Sequence, residues 1–299
     1  KSLDKFIKNL STSPITHVYG YMKQQKAKKN FVKKLKSILI DGLKEIKFNI
    51  DQNFQTDYFP LNPTNLNFIT RAFIKSKRKS KLKSKIFLSH YEIDDFLNYV
   101  YFPLHFEPER TTNPDGGDFH DQLLAILKIR EFIPENITIV VKEHPSTYLL
   151  GDKGVNGRSP LFFDLLSNIK NIKIVHVEKE SKLLISKSKM VATISGSVAV
   201  EAALMGVRSV YLGDTWYNGL PNTFKLDKNL TYENLLNVPL ASIEKITSFL
   251  KKLKNEFSII GFQNPGQKKY FNDLIDTNSS TIDEDMFNLL SSFFKKIEY

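Results

Sequence analysis

The middle of the chain alternates between short apolar runs and stretches whose apolar residues recur every three or four positions. The apolar runs predict strands at residues 98–104, 137–142, 171–177, 190–194 and 208–212. The stretches between them predict helices at residues 118–132, 161–168, 180–188 and 197–205. Strands that alternate with helices at this spacing are typical of βαβ units. We therefore predict an α/β fold built on a doubly wound, parallel, Rossmann-like sheet.

The two ends of the chain have a helical pattern instead. Residues 1–60 contain loosely amphipathic, lysine-rich stretches without strand-like alternation, and residues 67–85 predict a further basic helix. Beyond the sheet, helical spacing returns at residues 231–236, 241–257, 266–274 and 282–298. We therefore divide the chain into a basic, mainly helical region at 1–97, a sheet domain at 98–225 and packing helices at 226–299.

The whole chain has a net charge of +11, and its positive charge is concentrated in the first third. Residues 1–100 contain 20 lysines and arginines against 8 acidic residues, whereas the remainder contains 23 against 24. The densest run extends from Arg71 to Lys85. It is either a solvated helix face or loop, or a contact with an anionic membrane surface or glycan, where each basic residue contributes about 1 kcal/mol. No stacking aromatics interleave with it, so we expect no nucleic-acid partner.

Composition narrows the class of protein further. No apolar run has the length of a membrane span or the shape of a signal peptide. The chain has no cysteine, which excludes disulfides and cysteine metal sites and fits a cytoplasmic protein. The histidines at 105, 120, 144 and 176 lack metal-ligand spacing. We expect a cytoplasmic location, with the Arg71–Lys85 run as the candidate for peripheral contact with the inner face of the membrane.

Polar clusters follow four of the predicted strands where those strands end. After the first strand comes Pro103-Leu104-His105-Phe106-Glu107-Pro108-Glu109, and after the second comes Lys142-Glu143-His144-Pro145. After the fourth comes Ser195-Gly196-Ser197, followed by Glu201, and after the fifth comes Gly213 with Trp216-Tyr217-Asn218-Gly219. Open α/β sheets bind ligands beyond the carboxyl ends of their strands. The four clusters therefore predict one site at that edge.

The motifs after the second and fourth strands each have a structural interpretation beside the functional one. Ser195-Gly196-Ser197 at a helix start suits a phosphate, but an N-cap by Ser197 explains it as well. Glu201 can accept the two hydroxyls of a ribose or can partner the helix dipole. Pro145 ends its strand at His144, which can bind a phosphate, act as a general acid, or be merely structural. The sequence contains no GxGxxG, Walker, HExxH or Gly-x-Ser-x-Gly motif.

Taken together, the four clusters resemble those of the bacterial capsule polysaccharide synthesis family, which includes the β-Kdo transferases of capsule and lipopolysaccharide assembly. The matching stretch covers roughly residues 99–222. The resemblance implies the C-terminal half of a GT-B fold and a metal-independent glycosyltransferase without a cofactor. It also implies a CMP-activated ulosonic acid such as Kdo as the donor, and a surface polysaccharide or lipopolysaccharide as the acceptor.

The same resemblance assigns roles to individual residues. Glu109 corresponds to a catalytic nucleophile or a general base, with Glu107 as the alternative, and His144 is the second catalytic candidate. The residues implied in binding the donor nucleotide are His105, Glu107, Lys142, Glu143, Pro145, Ser195, Gly196, Ser197, Glu201, Tyr217 and Asn218. No metal ligand is implied.

Residues 1–97 do not have the pattern of the acceptor-side Rossmann domain that a complete GT-B enzyme needs. That domain either precedes Lys1 or is reduced to helices. Two other functions remain open from the sequence. One is a teichoic-acid-type polyol- or sugar-phosphate transferase, which also uses CMP-containing donors. The other is a non-catalytic module that binds a nucleotide or a glycan.

Overall fold

A computed structural model describes residues 77, 80–86, 98–107, 109, 111–149 and 157–257. Its centre is a sheet of six parallel strands in the order β3-β2-β1-β4-β5-β6. The strands are β1 (Tyr99–Pro103), β2 (Thr138–Lys142), β3 (Ile172–Val175), β4 (Met190–Thr193), β5 (Ser209–Tyr211) and β6 (Thr223–Lys225). The fold is therefore α/β and Rossmann-like, as the alternating pattern predicted.

Apart from the short helix at residues 146–149, the helices within and after the sheet match predicted ones, four between the strands and two after the last strand. They are α1 (Gln122–Phe132), α2 (Ser146–Leu149), α3 (Pro160–Ser167), α4 (Ser181–Lys187), α5 (Val198–Leu204), α6 (Tyr232–Asn237) and α7 (Ile243–Phe257). Local signals fix several ends: the side chains of Asp121, Ser159 and Thr231 cap α1, α3 and α6. Gly206, with φ +74°, follows the end of α5, where a left-handed residue closes the helix.

Both faces of the sheet are covered, which explains why its strands are apolar throughout. Helices α1, α3 and α6 pack on one face around Phe102, Ile126 and Val141. Helices α4 and α5 pack on the other face around Tyr101 and Val191. A continuous apolar strand has both rows of side chains buried, as a two-sided parallel sheet requires.

The basic run is amphipathic where the structure describes it. Residues 80–86 are helical, and Leu82 and Ile86 are buried against Phe163 of α3. Lys81 faces solvent, and the Lys85 ammonium pairs with the Asp164 carboxylate. The apolar side of this short helix thus docks on the sheet domain. The rest of the Arg71–Lys85 run apart from Lys77, and the helices predicted at 1–60, 266–274 and 282–298, lie outside the described residues.

Two absences concern the described residues alone. None of their helices is long and apolar enough to cross a membrane. No group of three or more histidine and acidic side chains among them is arranged to hold a metal ion.

Candidate functional site

The candidate site lies at the carboxyl edge of the sheet, where the strand order changes direction. β1 has β2 on one side and β4 on the other, with both pairings parallel. The loops after β1 and β4 therefore leave toward opposite sides and open a crevice between them, which is where doubly wound folds bind ligands. The clusters after β1, β2 and β4 follow the carboxyl ends of these strands, at the edge where the sequence predicts a site built from four clusters.

His105 lies between the ends of β1 and β4, and both nitrogens of its imidazole ring lie within hydrogen-bonding distance of threonine hydroxyls. Its Nδ1 lies 3.1 Å from Thr111 Oγ1, and its Nε2 lies 3.1 Å from Thr193 Oγ1 at the end of β4. Burial lowers its pKa to about 4, with smaller contributions from His144 and Arg158. His105 therefore joins the loop after β1 to the end of β4 as a neutral ring.

Glu107 and Glu109, two residues apart, have different surroundings. The Glu107 carboxylate accepts hydrogen bonds from Gln122 Nε2 at 2.6 Å and Thr112 Oγ1 at 3.0 Å. The backbone of Glu107 also lies so close to Gly157 that a Cβ there would be 2.0 Å from the Glu107 carbonyl oxygen. Glu107 is thus fixed within the protein.

Glu109 is exposed, and its carboxylate accepts one hydrogen bond among the described residues, from Thr111 Oγ1 at 3.2 Å. Partial desolvation raises the pKa of its carboxyl group, the Thr111 hydroxyl lowers it, and the charge of Glu107 raises it again. Water offsets much of this at an exposed group. Of the two glutamates, Glu109 has the carboxylate that can meet a ligand.

Glu143 is buried in an ion pair with a residue that the sequence pattern did not single out. Its Oε2 accepts from Arg158 Nε at 2.9 Å, and its Oε1 accepts from the backbone N–H of His144 at 2.7 Å. Arg158 also donates to the carbonyl oxygen of His105 at 2.9 Å and lies over the Phe162 ring. The pair therefore ties the ends of β1 and β2 to the segment before α3.

His144 uses one of its two ring nitrogens in a hydrogen bond to the backbone. Its Nδ1 accepts a hydrogen bond from the backbone N–H of Ser146 at 3.1 Å. Burial, with smaller contributions from the charges of Lys142 and Arg158, lowers its pKa to about 4. In a neutral imidazole whose Nδ1 accepts, the proton is on Nε2. His144 is thus a hydrogen-bond donor whose Nε2 has no protein partner among the described residues.

Lys142 and Glu201 form the charged part of the edge on the α4–α5 side. Lys142 Nζ donates to the Lys179 carbonyl oxygen at 2.8 Å and to Ser181 Oγ at 2.7 Å. Burial lowers the Lys142 pKa to about 8, and Glu201 and Glu180 oppose that shift. Burial raises the pKa of the half-buried Glu201 carboxyl, and Lys182 and Lys142 lower it. Within the described part of the chain, no side chain or backbone N–H donates to the Glu201 carboxylate.

The loop before α5 is held from both sides. The buried Ser195 hydroxyl donates to the carbonyl oxygen of Thr111, and the Gly196 N–H donates to Thr193 Oγ1 at 3.1 Å. The Gly196 carbonyl oxygen accepts from the hydroxyl of Tyr217, which is fully buried, at 2.9 Å. Ser197 is exposed at the start of α5 and makes no side-chain cap.

Most of the predicted site residues therefore fall into two groups in the structure. Those engaged inside the protein are His105, Glu107, Glu143, Ser195 and Tyr217. Those with capacity left for a ligand are Glu109, His144, Ser197 and Glu201. Lys142 is buried but charged, Pro145 is half-buried and Gly196 packs on His105. The exposed Asn218 accepts from Tyr211 at 2.8 Å, at the more distant β5 end.

The sequence pattern missed the residues that hold the site together: Thr111, Thr112, Gln122, Arg158 and Thr193. Arg158 lies between the predicted strand at 137–142 and the predicted helix at 161–168, where no periodicity marks it. Thr193 had a usable signal, because it is a polar residue at the carboxyl end of an apolar strand. The partners of the other three depend on how the loops fold, which short-range spacing does not report.

No family model and no curated protein matches the sequence. Among solved structures, the chain is similar to Thermosulfurimonas dismutans KpsC, a β-Kdo 2,7 transferase, with 16% identity over 59% of this chain and 51% of that chain, and a TM-score of 0.37. It is also similar to the UDP-GlcNAc 2-epimerase of Methanocaldococcus jannaschii, with 20% identity over 61% of this chain and 51% of that chain, and a TM-score of 0.35. A third similar structure is a variant of the wall teichoic acid polymerase TagF, with 11% identity over 77% of this chain and 56% of that chain, and a TM-score of 0.26. The chain spans about half the length of these structures.

Proposed function

We propose that this chain carries the donor-binding half of a GT-B glycosyltransferase, with the nucleotide held in the crevice between β1 and β4. The observation that carries the proposal is the half-buried Glu201 carboxylate, which accepts no hydrogen bond among the described residues. Partial burial removes some of the water around this carboxylate, which costs free energy because no protein donor replaces that water. A ribose supplies two hydroxyl donors that would offset this cost.

The neighbouring groups fit the other parts of a nucleotide sugar. The Nε2–H of His144 would donate to a phosphate oxygen, and the nearby Lys142 ammonium would favour negative charge there. We further propose a CMP-linked ulosonic acid such as Kdo as the donor and a surface glycan or glycolipid as the acceptor, in accord with the motif resemblance. No cofactor has a part in this proposal.

Glu109 is the carboxylate we assign to the reacting carbon. It would attack the anomeric carbon as the bond from that carbon to the phosphate oxygen breaks, with the electron pair leaving on the phosphate. An acceptor hydroxyl would then displace Glu109 and lose its proton to solvent. Glu107 is a poorer candidate because Gln122 and Thr112 already hold its carboxylate in place.

The alternative phosphate-transfer function has a different requirement. A teichoic-acid-type transferase that used His144 as a general base would need a free lone pair on Nε2 to accept the acceptor's proton. In this structure the accepting nitrogen is Nδ1, which the Ser146 N–H occupies. We therefore rank the glycosyl transfer first.

A thermal-shift panel with CMP, CDP, UMP, UDP, GDP and ADP tests the proposal. A ligand at 100 times its Kd adds about 2.7 kcal/mol to apparent stability. We expect selective stabilisation by CMP, lost in Glu201→Ala and kept in Glu131→Ala, an exposed glutamate near the C-terminal end of α1. Selective stabilisation by UDP or GDP would reject the CMP-linked donor, and no shift with any nucleotide would reject the donor site.

A further inference from the structure

Four side chains form a continuous hydrogen-bonded row from the end of β4 to Glu109. Thr193 Oγ1 lies 3.1 Å from His105 Nε2, His105 Nδ1 lies 3.1 Å from Thr111 Oγ1, and Thr111 Oγ1 lies 3.2 Å from Glu109 Oε2. At its far end, Thr193 Oγ1 accepts from the Gly196 N–H at 3.1 Å. The row crosses the crevice from one strand end to the candidate catalytic carboxylate.

Counting protons gives this row a single direction. An ionised Glu109 is an acceptor only, so the one proton of the Thr111 hydroxyl points to Glu109. Thr111 Oγ1 must then accept from His105, which places the imidazole proton on Nδ1. The lone pair on Nε2 accepts the Thr193 hydroxyl proton, and every donor in the row has one acceptor. The opposite tautomer would turn the Thr111 proton toward His105 and leave two oxygen lone pairs facing each other.

We propose that His105 is a positioning residue that fixes the Thr111 hydroxyl proton on Glu109 and thereby holds the Glu109 carboxylate ionised and oriented. This inference rests on the proposed role of Glu109 and deepens it. It gives His105 a role other than direct contact with the donor, because both of its ring nitrogens are used inside the protein.

The surroundings hold His105 in this orientation. Gln122 Oε1 accepts the His105 backbone N–H at 2.9 Å, and Arg158 and Gln122 both donate to its carbonyl oxygen. Gly196 lies against the ring, since a Cβ there would be 3.1 Å from His105 Cε1. The Ser195 hydroxyl donates to the Thr111 carbonyl oxygen. The two side chains of the row that flank the ring, and the ring itself, are therefore anchored independently of Glu109.

The charges around the row favour a neutral ring. Burial lowers the pKa of His105 to about 4, and the nearby His144 and Arg158 act in the same direction. Glu107 is the charged group that acts on Glu109. A neutral His105 carries one ring proton, so the tautomer alone decides which way the Thr111 hydroxyl points.

The first test is the tautomer of His105, which nitrogen NMR of the intact chain labelled at its six histidines reports directly. We expect His105 to be neutral at pH 7 with its proton on Nδ1, and His144 to be neutral with its proton on Nε2. A His105 proton on Nε2, or an imidazolium form at pH 7, would overturn the proposal. This result does not depend on any transferase activity.

The second test compares Thr111→Val with Thr111→Ser by following the Glu109 carboxyl in the pH titration of carbon-labelled protein. Valine removes the hydroxyl but keeps the shape and backbone, so the Glu109 pKa should rise by roughly half a unit. Serine keeps the hydroxyl, so the pKa should stay near the wild-type value. Equal pKa values in the two variants would contradict the role of Thr111.

The kinetic consequence separates this inference from the proposed function. If transfer occurs, the acidic limb of the kcat/KM profile, which reports groups of the free enzyme, should move to higher pH in Thr111→Val by the same amount as the Glu109 pKa, with KM for the donor unchanged. A limb that stays in place although the Glu109 pKa has moved would overturn the catalytic meaning of the row. If the wild type transfers no sugar, the proposed function fails, while the tautomer and the Glu109 titration still decide whether the row exists.

Discussion

At the scale of single residues, a carboxylate's use depends on how many donors it already has. The carboxylates of Glu107 and Glu143 accept hydrogen bonds from the same chain, whereas among the described residues the Glu201 carboxylate accepts none and the Glu109 carboxylate accepts one. Satisfied buried groups stabilise the fold, and unsatisfied ones favour a ligand that brings donors. This difference gives the first two predictions.

Glu201→Ala should weaken binding of the donor nucleotide by roughly 10- to 100-fold, because hydrogen bonds to a charged group contribute about 1.5–3 kcal/mol. Isothermal titration calorimetry with the nucleotide that wins the thermal-shift panel measures this. Glu131→Ala, at the opposite edge of the sheet, is the matched control and should keep the wild-type Kd. A wild-type Kd in Glu201→Ala would remove the ribose role.

Glu109→Gln should lower kcat by at least ~100-fold and leave nucleotide affinity nearly intact, because the amide keeps the shape but cannot act as a nucleophile or base. Initial rates of sugar transfer, together with the nucleotide Kd, measure the two effects separately. Glu107→Gln is the comparison variant, and its loss of turnover should be smaller. The reverse order of the two losses would reassign the catalytic carboxylate to Glu107.

At the scale of helices and strands, the ion pair of Glu143 and Arg158 joins three elements of the edge. Only 4% of the Arg158 side chain and 2% of the Glu143 side chain is exposed. Because both charges have lost their water, removing one of them leaves the other unpaired. The pair therefore secures the loops that position His105 and His144.

Arg158→Met should lower the free energy of unfolding by about 3–5 kcal/mol, since Glu143 would remain buried without its partner. The double variant Glu143→Gln with Arg158→Met should lose clearly less than the sum of the two single changes. Urea unfolding of the four proteins of this double-mutant cycle provides the measurement. Additive losses would mean that the two residues do not act as a pair.

Much of the arrangement of helices and strands could be predicted from the sequence. Apolar runs located five strands to within two residues at each end, because a strand buried on both faces leaves an unmistakable run. The short β6 was missed, since Thr223-Phe224-Lys225 is too brief and mixed to form such a run. The strand ends that flank the site were predicted as well. Which of Glu107 and Glu109 would turn inward was not, because that depends on Gln122, on Thr112 and on the close approach of Gly157 to Glu107.

At the scale of the whole molecule, His105 and His144 couple the stability of the fold to pH. Burial holds both folded-state pKa values near 4, whereas an unfolded histidine titrates near 6.5. Between these values the unfolded chain binds more protons than the folded chain. Stability is therefore complete above about pH 6.5 and is lost as the pH falls toward 4.

Lowering the pH from 7.5 to 5.0 should thus reduce the free energy of unfolding by about 2 kcal/mol for each of these two histidines. Urea unfolding at the two pH values measures the loss. His144→Asn, whose oxygen can accept from the Ser146 N–H, should remove about half of it. His120→Gln should remove none, because His120 is exposed. Equal stability at both pH values would mean that the two histidines are not held neutral.

The hydrogen bonds that link the loop after β1 to the end of β4 and the loop after it join residues very far apart in the chain. His105 and Thr193 are separated by 88 positions, and Thr111 and Ser195 by 84. Contacts of such separation need large loops to close first, so they form late in folding, after the local βαβ units. Interactions absent from the folding transition state act on the unfolding rate. A nucleotide bound at this edge should therefore prolong the lifetime of the native state and leave the rate of refolding as it is.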